Sequence, residues 1–264
     1  MNSYLAAAIA VMILANLAFT LAVKMKRNDI ADVVWGFGFV VATAAALFWT
    51  SAELGKFEMW PRMAVAGICL AIWAGRLSTH IAFRNAKKSG EDVRYKNWRD
   101  EWGSSWKWKS YLRVFILQGL ILIVNALPLL KIASEPGAGV DLVVWIGVVI
   151  WAVGFFFEAW GDHQLTVFKG DPKNKGKLMT TGLWSWTRHP NYFGEVVQWW
   201  GFFLMAVTLP GAWFTVIAPI AITFLILKVS GVPMLEKEMK SRPGFDDYAR
   251  QTPSTFFPLP PKKA

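Results

Sequence analysis

Three polar residues recur at helical spacing inside a strongly apolar part of the chain. Asn191, Glu195 and Gln198 follow one another at intervals of four and three residues, so they lie on one face of a helix. Ionisable groups inside a membrane are costly, and they usually pair with one another or line a water-filled cavity. This stripe therefore indicates a site for acid–base or ligand-binding chemistry within an apolar helix bundle.

Other apolar segments carry polar residues of the same kind. They are Asp32, Arg76, His80, Arg84, Gln118, Asn125, Glu158 and Asp162. Any one of these residues could simply hold two helices together. As a set of acids, bases and amides at one depth, they predict a single polar chamber that opens to the cytoplasm.

Several kinds of catalytic site are poorly supported. The three histidines show no H-E-x-x-H spacing, and the single cysteine, Cys69, excludes a thiolate zinc site or a disulfide within the chain. We therefore expect no metal. No G-x-S-x-G element indicates a hydrolase. The "GFGFVV" at 36–41 lacks the third glycine of a soluble dinucleotide-binding turn and is typical of helix packing.

Basic and amide residues in the loops suggest a different chemistry. They could bind a phosphorylated cofactor through charge-assisted hydrogen bonds, although the same cations also suit membrane topology and anionic lipid. The residues are Arg84, Asn85, Arg94, Lys177 and Arg188.

The elements that position these groups follow from composition. The chain is 55% hydrophobic and 17% charged, whereas soluble domains average about 45–50% apolar and about 25% charged residues. We therefore predict an all-α polytopic membrane protein, a seven-transmembrane helix bundle that forms one domain over residues 1–264. With about 20 apolar residues to a span, the spans are expected at about 4–23, 31–50, 62–82, 112–130, 140–160, 190–209 and 211–230, before a cytoplasmic tail at 231–264.

The basic residues predict the orientation. They are concentrated after the first, third and fifth spans and in the tail, which by the positive-inside rule places the N-terminus outside and the C-terminus in the cytoplasm. The protein would then lie in the inner (plasma) membrane of a cell. Because the net charge of +10 is mostly a topology signal, we expect membrane lipid and no nucleic acid as a partner. We expect a monomer.

Four stretches together resemble one known family. They are "DVVWGFGF", "WAGRLSTHIAFRNAKKSGEDVRYKNWRDEWG", "TTGLWSWTRHPNYFGEVVQWWGF" and "LKVSGVPMLEKEMKSRPGFDDYARQTPSTFFPLPP". They look like the bacterial DUF1295 proteins, membrane relatives of steroid 5-alpha-reductases (3-oxo-5-alpha-steroid 4-dehydrogenases). The "RHPNYFGE" part alone also resembles isoprenylcysteine and phospholipid methyltransferases.

The resemblance implies a cofactor site. In steroid 5-alpha-reductases NADPH enters from the cytoplasm among the last spans and loops, and the lipid-soluble enone lies deeper. Carried over by position, Asn191 and Glu195 would face the nicotinamide. The other expected contacts approach the phosphates or the ribose, are the acidic and basic contacts in the loop before the sixth span, or belong to the "RHPNY" element itself. Those contacts are Arg84, Asn85, Arg94, Tyr95, Asp162, Lys177, Arg188, His189, Tyr192 and Lys228.

The resemblance also implies the catalytic groups, with departures. Asp32 stands near the position where the animal enzymes use a glutamate to bind the substrate ketone, and Trp73 stands in the place of their partner tyrosine. An indole donates a hydrogen bond but is a poor proton source. We expect protonated Asp32, or a water that it holds, to stabilise the enolate, with Trp73 and Glu195 as the other catalytic residues. Alternatively, Asp32 is a charge favoured at a helix N-terminus.

Three functions remain open at this point. The first is NADPH-dependent reduction of the carbon–carbon double bond of a lipophilic conjugated enone, resembling a 3-oxo-4-ene steroid or another lipid such as a quinone-like, terpenoid or fatty enone. The alternative is an S-adenosylmethionine-dependent membrane methyltransferase of the isoprenylcysteine or phospholipid type. The third is a non-enzymatic lipid-binding or scaffold protein.

Overall fold

A computed structural model describes residues 2–86 and 90–261, and every regular element in these ranges is helical. This helical content, together with the candidate spans described next, confirms the prediction of an all-α polytopic membrane protein. Four lysines counted in the orientation argument lie outside the described residues, as does the end of the expected tail. They are Lys87, Lys88, Lys262 and Lys263.

Within the described ranges, five helices are long and apolar enough to cross a membrane. They are α1 (Ser3–Met25), α2 (Ile30–Glu53), α3 (Pro61–Ala86), α8 (Leu142–Gly170) and the stretch Ala212–Lys240. A sixth candidate is the pair Val93–Asn125 and Leu127–Ala133, which is bent by 58°.

The expected span at 190–209 forms the 18-residue helix α9 (Pro190–Val207), which is not among these candidates. Its asparagine, glutamate and glutamine lower the mean hydropathy of this helix. The total of seven spans therefore stays a prediction.

Shorter helices complete the chain. The N-terminal part of the bent pair breaks into several pieces, including a π-helical stretch, and the last candidate span likewise changes its winding. The pieces are α4 (Val93–Trp102), α5 (Trp106–Ser110), the π-helical Tyr111–Ile116, α6 (Leu117–Asn125), α7 (Leu127–Ala133), α10 (Ile217–Phe224), the π-helical Leu225–Val229, α11 (Val232–Lys240) and α12 (Phe245–Gln251).

Polar side chains fix where helices start. Asn2 accepts a hydrogen bond from Leu5 N at 2.9 Å and caps α1, and Asp141 accepts one from Val144 N at 2.9 Å in front of α8. Such caps satisfy backbone N–H groups that a helix leaves unpaired at its first turn.

The chain forms two compact units. The N-terminal unit comprises Met1–Val144 and Met205–Ile217, and the C-terminal unit comprises Trp145–Leu204 and Ala218–Ala264. In the N-terminal unit the buried Arg62 donates to Gly139 O, to Thr208 Oγ1 and to Asp141 Oδ2 at 2.8 Å each. A buried cation needs such partners, so this cluster ties together the unit's distant segments.

Candidate functional site

In the N-terminal unit, the Asp32 carboxylate is the centre of a polar cluster. The Tyr95 hydroxyl donates to Asp32 Oδ1 at 2.5 Å, and Arg94 Nη2 donates to Oδ2 at 3.1 Å. Gln118 Nε2 donates to the Tyr95 oxygen at 3.3 Å. Tyr95 is 3% exposed. Asp32 thus accepts two donors, and the Tyr95 hydroxyl lies between the Asp32 carboxyl group and the Gln118 amide.

This cluster adjoins a narrow apolar groove. Gln118 lines the groove together with small and aliphatic residues from α1, α2 and α6, including Ala15, Ala18 and Gly38. A Cβ atom added at Gly38 would lie 2.4 Å from Leu122 Cδ1, so α2 and α6 lie close together here. The groove therefore has apolar walls and a polar end that leads to Tyr95.

A buried network places α4 so that Arg94 and Tyr95 reach Asp32. Asp29, 1% exposed, accepts both Nε and Nη2 of Arg27 at 3.0 and 2.9 Å and the backbone N–H of Asp92 at 3.1 Å. Asp92 in turn accepts from Arg94 N and Nε at 3.1 and 3.0 Å. The ion pair with Asp29 raises the pKa of Arg27, which lies outside the helices.

A second buried acid holds the same loop. Glu91 accepts from Asn28 N at 2.5 Å and from the Arg99 guanidinium. Neither Asp29 nor Glu91 was singled out from the sequence, because acids at a loop and at the turn between two helices look like ordinary solvated charges. Their burial becomes visible only when the loop folds back onto the α1–α2 turn.

Trp73, expected to be catalytic, lies in an aromatic cluster of the same unit. It is 1% exposed and contacts Phe39 edge to face, with ring centroids 5.5 Å apart. Arg84 is exposed at the end of α3, and its Nε lies 3.4 Å from Asn85 Oδ1. Asn85 is 5% exposed, and its Nδ2 finds no hydrogen-bond partner among the described residues.

In the C-terminal unit, α8 and α9 pack antiparallel through glycines. A Cβ atom added at Gly194 would lie 2.4 Å from both Glu158 N and Gly154 O, and one added at Gly154 would lie 2.6 Å from Gly194 O. Small residues let two membrane helices approach closely. Gly194 of the "NYFGE" stretch therefore serves backbone packing.

Two polar pairs cross this close interface. Asn191 Nδ2 donates to Asp162 Oδ1 at 3.1 Å, and Gln198 Nε2 donates to Glu158 Oε2 at 2.5 Å. Glu158 and Gln198 are 3% and 1% exposed. Asn191 Oδ1 is buried and without a hydrogen-bond partner among the described residues. The polar stripe predicted on α9 is present, and two of its members, Asn191 and Gln198, donate hydrogen bonds to acids of α8.

The segment before α9 is fixed on the end of α8. Leu183 N donates to Gln164 Oε1, and the buried Trp184 Nε1 donates to Gly161 O, both at 3.0 Å. Gly182 has a φ of 62°, a left-handed conformation that favours glycine. The expected loop contact Lys177 lies exposed in the preceding connection.

Arg188 and His189 are buried in an ion cluster with Glu236 of α11. Arg188 Nε and Nη2 donate to the two Glu236 oxygens at 2.9 and 3.0 Å, and His189 Nε2 lies 3.0 Å from Oε1. Arg188 Nη1 also donates to Thr252 O at 2.6 Å. Sequence reasoning missed Glu236, since the "EKEMK" of α11 offers two similar acids.

The remaining expected residues of this unit are more accessible. Tyr192 stacks on His189 with ring centroids 5.6 Å apart, and Glu195 is partly buried one turn further along α9. Lys228 is exposed beside an apolar groove formed with Trp200 and Phe224, among others. The structure thus brings together Asp32, Arg94 and Tyr95 in one unit, and Asp162 with Asn191 and Arg188 with His189 in the other.

Comparisons with known proteins identify relatives. A family model described as "Protein of unknown function (DUF1295)" matches residues 18–252. A probable O-methyltransferase, ustE, of Ustilaginoidea virens is 50% identical over 46 residues, 17% of this chain and 16% of that protein. An uncharacterized protein of Schizosaccharomyces pombe is 24% identical over 214 residues, 73% of this chain and 61% of that protein.

A third relative is the 3-oxo-5-alpha-steroid 4-dehydrogenase 1 of Mus musculus, 34% identical over 68 residues, 26% of this chain and 27% of that protein. The chain thus matches less than two thirds of the length of each of these three relatives. No solved structure matches the chain.

Proposed function

The chain belongs to the DUF1295 family, and from this premise we propose that it is a membrane-embedded NADPH-dependent reductase. The proposed reaction reduces the carbon–carbon double bond of a lipophilic conjugated enone, as in a 3-oxo-4-ene steroid. The observation that carries the proposal is the Asp32–Tyr95–Gln118 chain at the polar end of an apolar groove. The partial similarity to 3-oxo-5-alpha-steroid 4-dehydrogenase 1 supports it.

The groove supports a ligand with a long apolar body and one hydrogen-bond acceptor at its end. Small-molecule sites are mostly apolar with a few placed polar groups, and the lining of this groove has that composition. The amide of Gln118 is the polar group that lines it. A carbonyl oxygen that enters this end would come next to the Tyr95 hydroxyl, which lies 3.3 Å from the amide nitrogen.

Tyr95, Asp32 and Gln118 then have different roles in stabilising the carbonyl oxygen. When hydride adds to the carbon beta to the carbonyl, negative charge collects on that oxygen, and a preplaced donor stabilises it. Tyr95 Oη–H is this donor. Asp32 orients the hydroxyl by accepting from it in the free protein, and Gln118 donates to the phenolic oxygen, which favours negative charge there as the proton moves to the ligand.

The chain also offers groups suited to NADPH, which supplies the hydride when it is bound. In the C-terminal unit, the unpartnered Asn191 Oδ1 can accept from the carboxamide N–H of a nicotinamide. The exposed Lys177 and Lys228 of the same unit carry the positive charge that phosphates require. Glu195 and Trp73 remain candidate catalytic residues in this scheme.

A second candidate function is S-adenosylmethionine-dependent methyl transfer, which the 50% identical segment of the probable O-methyltransferase favours. Ligand binding separates the two. A ligand at about 100 times its Kd stabilises a folded protein by about 2.7 kcal/mol, so the detergent-solubilised protein should melt at a higher temperature with NADPH and at an unchanged temperature with S-adenosylmethionine. The opposite result would replace the reductase with the methyltransferase.

Activity itself is tested by NADPH oxidation in the presence of 4-ene-3-ketosteroids and other lipophilic enones. We expect oxidation that depends on one member of this panel, with a product reduced at the double bond. No oxidation by protein that binds NADPH would exclude this substrate class. Binding of neither cofactor would favour a lipid-binding role without catalysis.

We further propose that the protein acts as a monomer in the inner (plasma) membrane, with its N-terminus outside and its C-terminus in the cytoplasm. The asymmetry of the basic residues along the sequence supports this orientation. Reporter fusions at the two termini test it. If a C-terminal reporter that works only outside the cytoplasm shows activity, the orientation is the reverse of the proposed one.

A further inference from the structure

The C-terminal strap, residues 245–259, is bound to the segment that leads into α9. Besides the bond from Arg188 Nη1 to Thr252 O, five hydrogen bonds of 2.7 to 3.1 Å join the two segments. They link Trp184 to Tyr248, Ser185 to Thr252, Trp186 to Leu259, Thr187 to Phe256 and Arg188 to Ser254. Burial raises the pKa of Tyr248 well above its usual range, so its hydroxyl remains a donor at every physiological pH.

Glu236 fixes the end of this contact with one carboxylate. Its side chain is 13% exposed, while those of its partners Arg188 and His189 are 7% and 0% exposed. Both carboxylate oxygens are used, since Arg188 forms a two-pronged pair with them and His189 Nε2 lies 3.0 Å from one. A two-pronged pair between arginine and a carboxylate holds direction as well as distance.

This cluster lies directly before the first residue of α9, Pro190. Pro190 packs on α8, because a Cβ atom added at Gly161 would lie 3.2 Å from Pro190 Cγ. The next residue, Asn191, donates to Asp162 at 3.1 Å. Any shift of Arg188 and His189 would therefore move the Asn191 amide with respect to α8.

We propose that Glu236 is a positioning residue of the cofactor site, which acts through Arg188 and His189 to hold the start of α9 in register with α8. The inference rests on the proposed role of Asn191 in binding NADPH. It gives the C-terminal strap a role in cofactor binding, although Glu236 itself is not proposed to touch the cofactor or the substrate.

Two matched substitutions on α11 test it. Glu236→Gln keeps the size of the side chain and removes its charge, whereas the control Glu238→Gln makes the same change in an exposed i,i+4 pair with Arg242. We expect Glu236→Gln to raise the KM and the Kd for NADPH by about tenfold or more, because a small displacement of a binding group is costly. At saturating NADPH, kcat should stay close to that of the unaltered protein.

The split between KM and kcat distinguishes positioning from stability. A merely structural role would lower the melting temperature and the active fraction while the KM for NADPH stays unchanged, and that result would overturn the proposal. If Glu236→Gln does not fold, Tyr248→Phe makes the same test, since it removes one strap bond without touching a charge. We then expect a smaller rise in KM, about threefold, and an unchanged KM would again overturn the proposal.

Hydrogen–deuterium exchange judges the inference independently of the reaction. Backbone amides of residues 190–195 should exchange faster in Glu236→Gln and at the normal rate in Glu238→Gln. If the unaltered protein binds no NADPH, the proposed function fails, while faster exchange would still show that Glu236 positions α9. Unchanged exchange in Glu236→Gln would refute the positioning role whatever the cofactor.

Discussion

The proposed role of the Tyr95 hydroxyl is open to a direct test, the substitution Tyr95→Phe. The change removes one oxygen atom, which donates to Asp32 at 2.5 Å and accepts from Gln118 at 3.3 Å. The ring stays in place against Trp98, whose centroid lies 5.5 Å away. Asp32 keeps its bond from Arg94, so the carboxylate does not lose its only partner.

These contacts set the size of the expected effects. Leaving a buried hydrogen-bonding group unpaired costs about 1–3 kcal/mol. This is less than the total stability of a folded protein, about 5–15 kcal/mol, so the variant should stay folded. The loss in catalysis should be larger, because removing one donor to a developing oxyanion lowers kcat by about 10²–10³. We therefore expect folded protein with a modestly lower melting temperature, an unchanged Kd for NADPH and at least about a 100-fold lower kcat.

The assay is NADPH oxidation with the best enone found for the unaltered protein, together with thermal unfolding. Tyr111→Phe is the matched control, since Tyr111 is a tyrosine of the same unit that donates to Asn16 Oδ1 at 3.2 Å. It should retain its full kcat. A Tyr95→Phe variant that turns over within a few-fold of the unaltered protein would refute the assignment of Tyr95 as the donor to the carbonyl oxygen.

Three further predictions concern other parts of the chain. Gly194→Ala should lower stability by about 1–3 kcal/mol or more, because its Cβ meets backbone atoms at 2.4 Å, whereas Gly75→Ala meets nothing within 4 Å and should be neutral or stabilising in thermal unfolding. Asp32→Asn and Glu195→Gln should each lower turnover at least about tenfold without unfolding the protein; near-normal rates in both would remove these residues from the mechanism. Several interactions lower the pKa of Asp141, and the largest is a hydrogen bond from a threonine hydroxyl. The stabilisation of the folded state by the ionised Asp141 is therefore complete above the ordinary aspartate pKa of about 3.9, and it is lost as the pH falls through the lowered pKa. Acid unfolding curves of Asp141→Asn should lack that component, and identical curves would contradict it.

Hydropathy and helical spacing predicted the fold class and the polar stripes because both depend on local sequence. The Asn191–Asp162 pair follows from two such stripes on neighbouring helices. The spacing rules did not predict that the expected 112–130 span is broken by a bend of 58° near Asn125, since the apolar run continues through the break. Close packing at Gly194 was also invisible in the sequence, because it depends on the backbone of a partner helix.

The partner of Asp32 shows a different limit. Resemblance placed Trp73 beside the catalytic acid and gave Tyr95 to the cofactor, whereas in the structure Tyr95 is one of two residues that donate to Asp32. The two residues are far apart in sequence, and the contact depends on the loop that Asp29 and Glu91 hold against the α1–α2 turn. A motif position cannot reveal such a contact, because it is created by the tertiary fold of a loop.

The "RHPNY" element resembles both reductases and methyltransferases because its role in this structure is structural. Arg188 uses three of its nitrogen atoms on Glu236 and Thr252, and His189 turns Nε2 to the same glutamate. Side chains engaged in this way specify how α9 starts and where the C-terminal strap binds, and both requirements are independent of the cofactor. A reductase and a methyltransferase could therefore share the element. The choice between them then falls to groups that retain unused hydrogen-bonding capacity, such as Asn191 Oδ1, which can accept from a nicotinamide carboxamide.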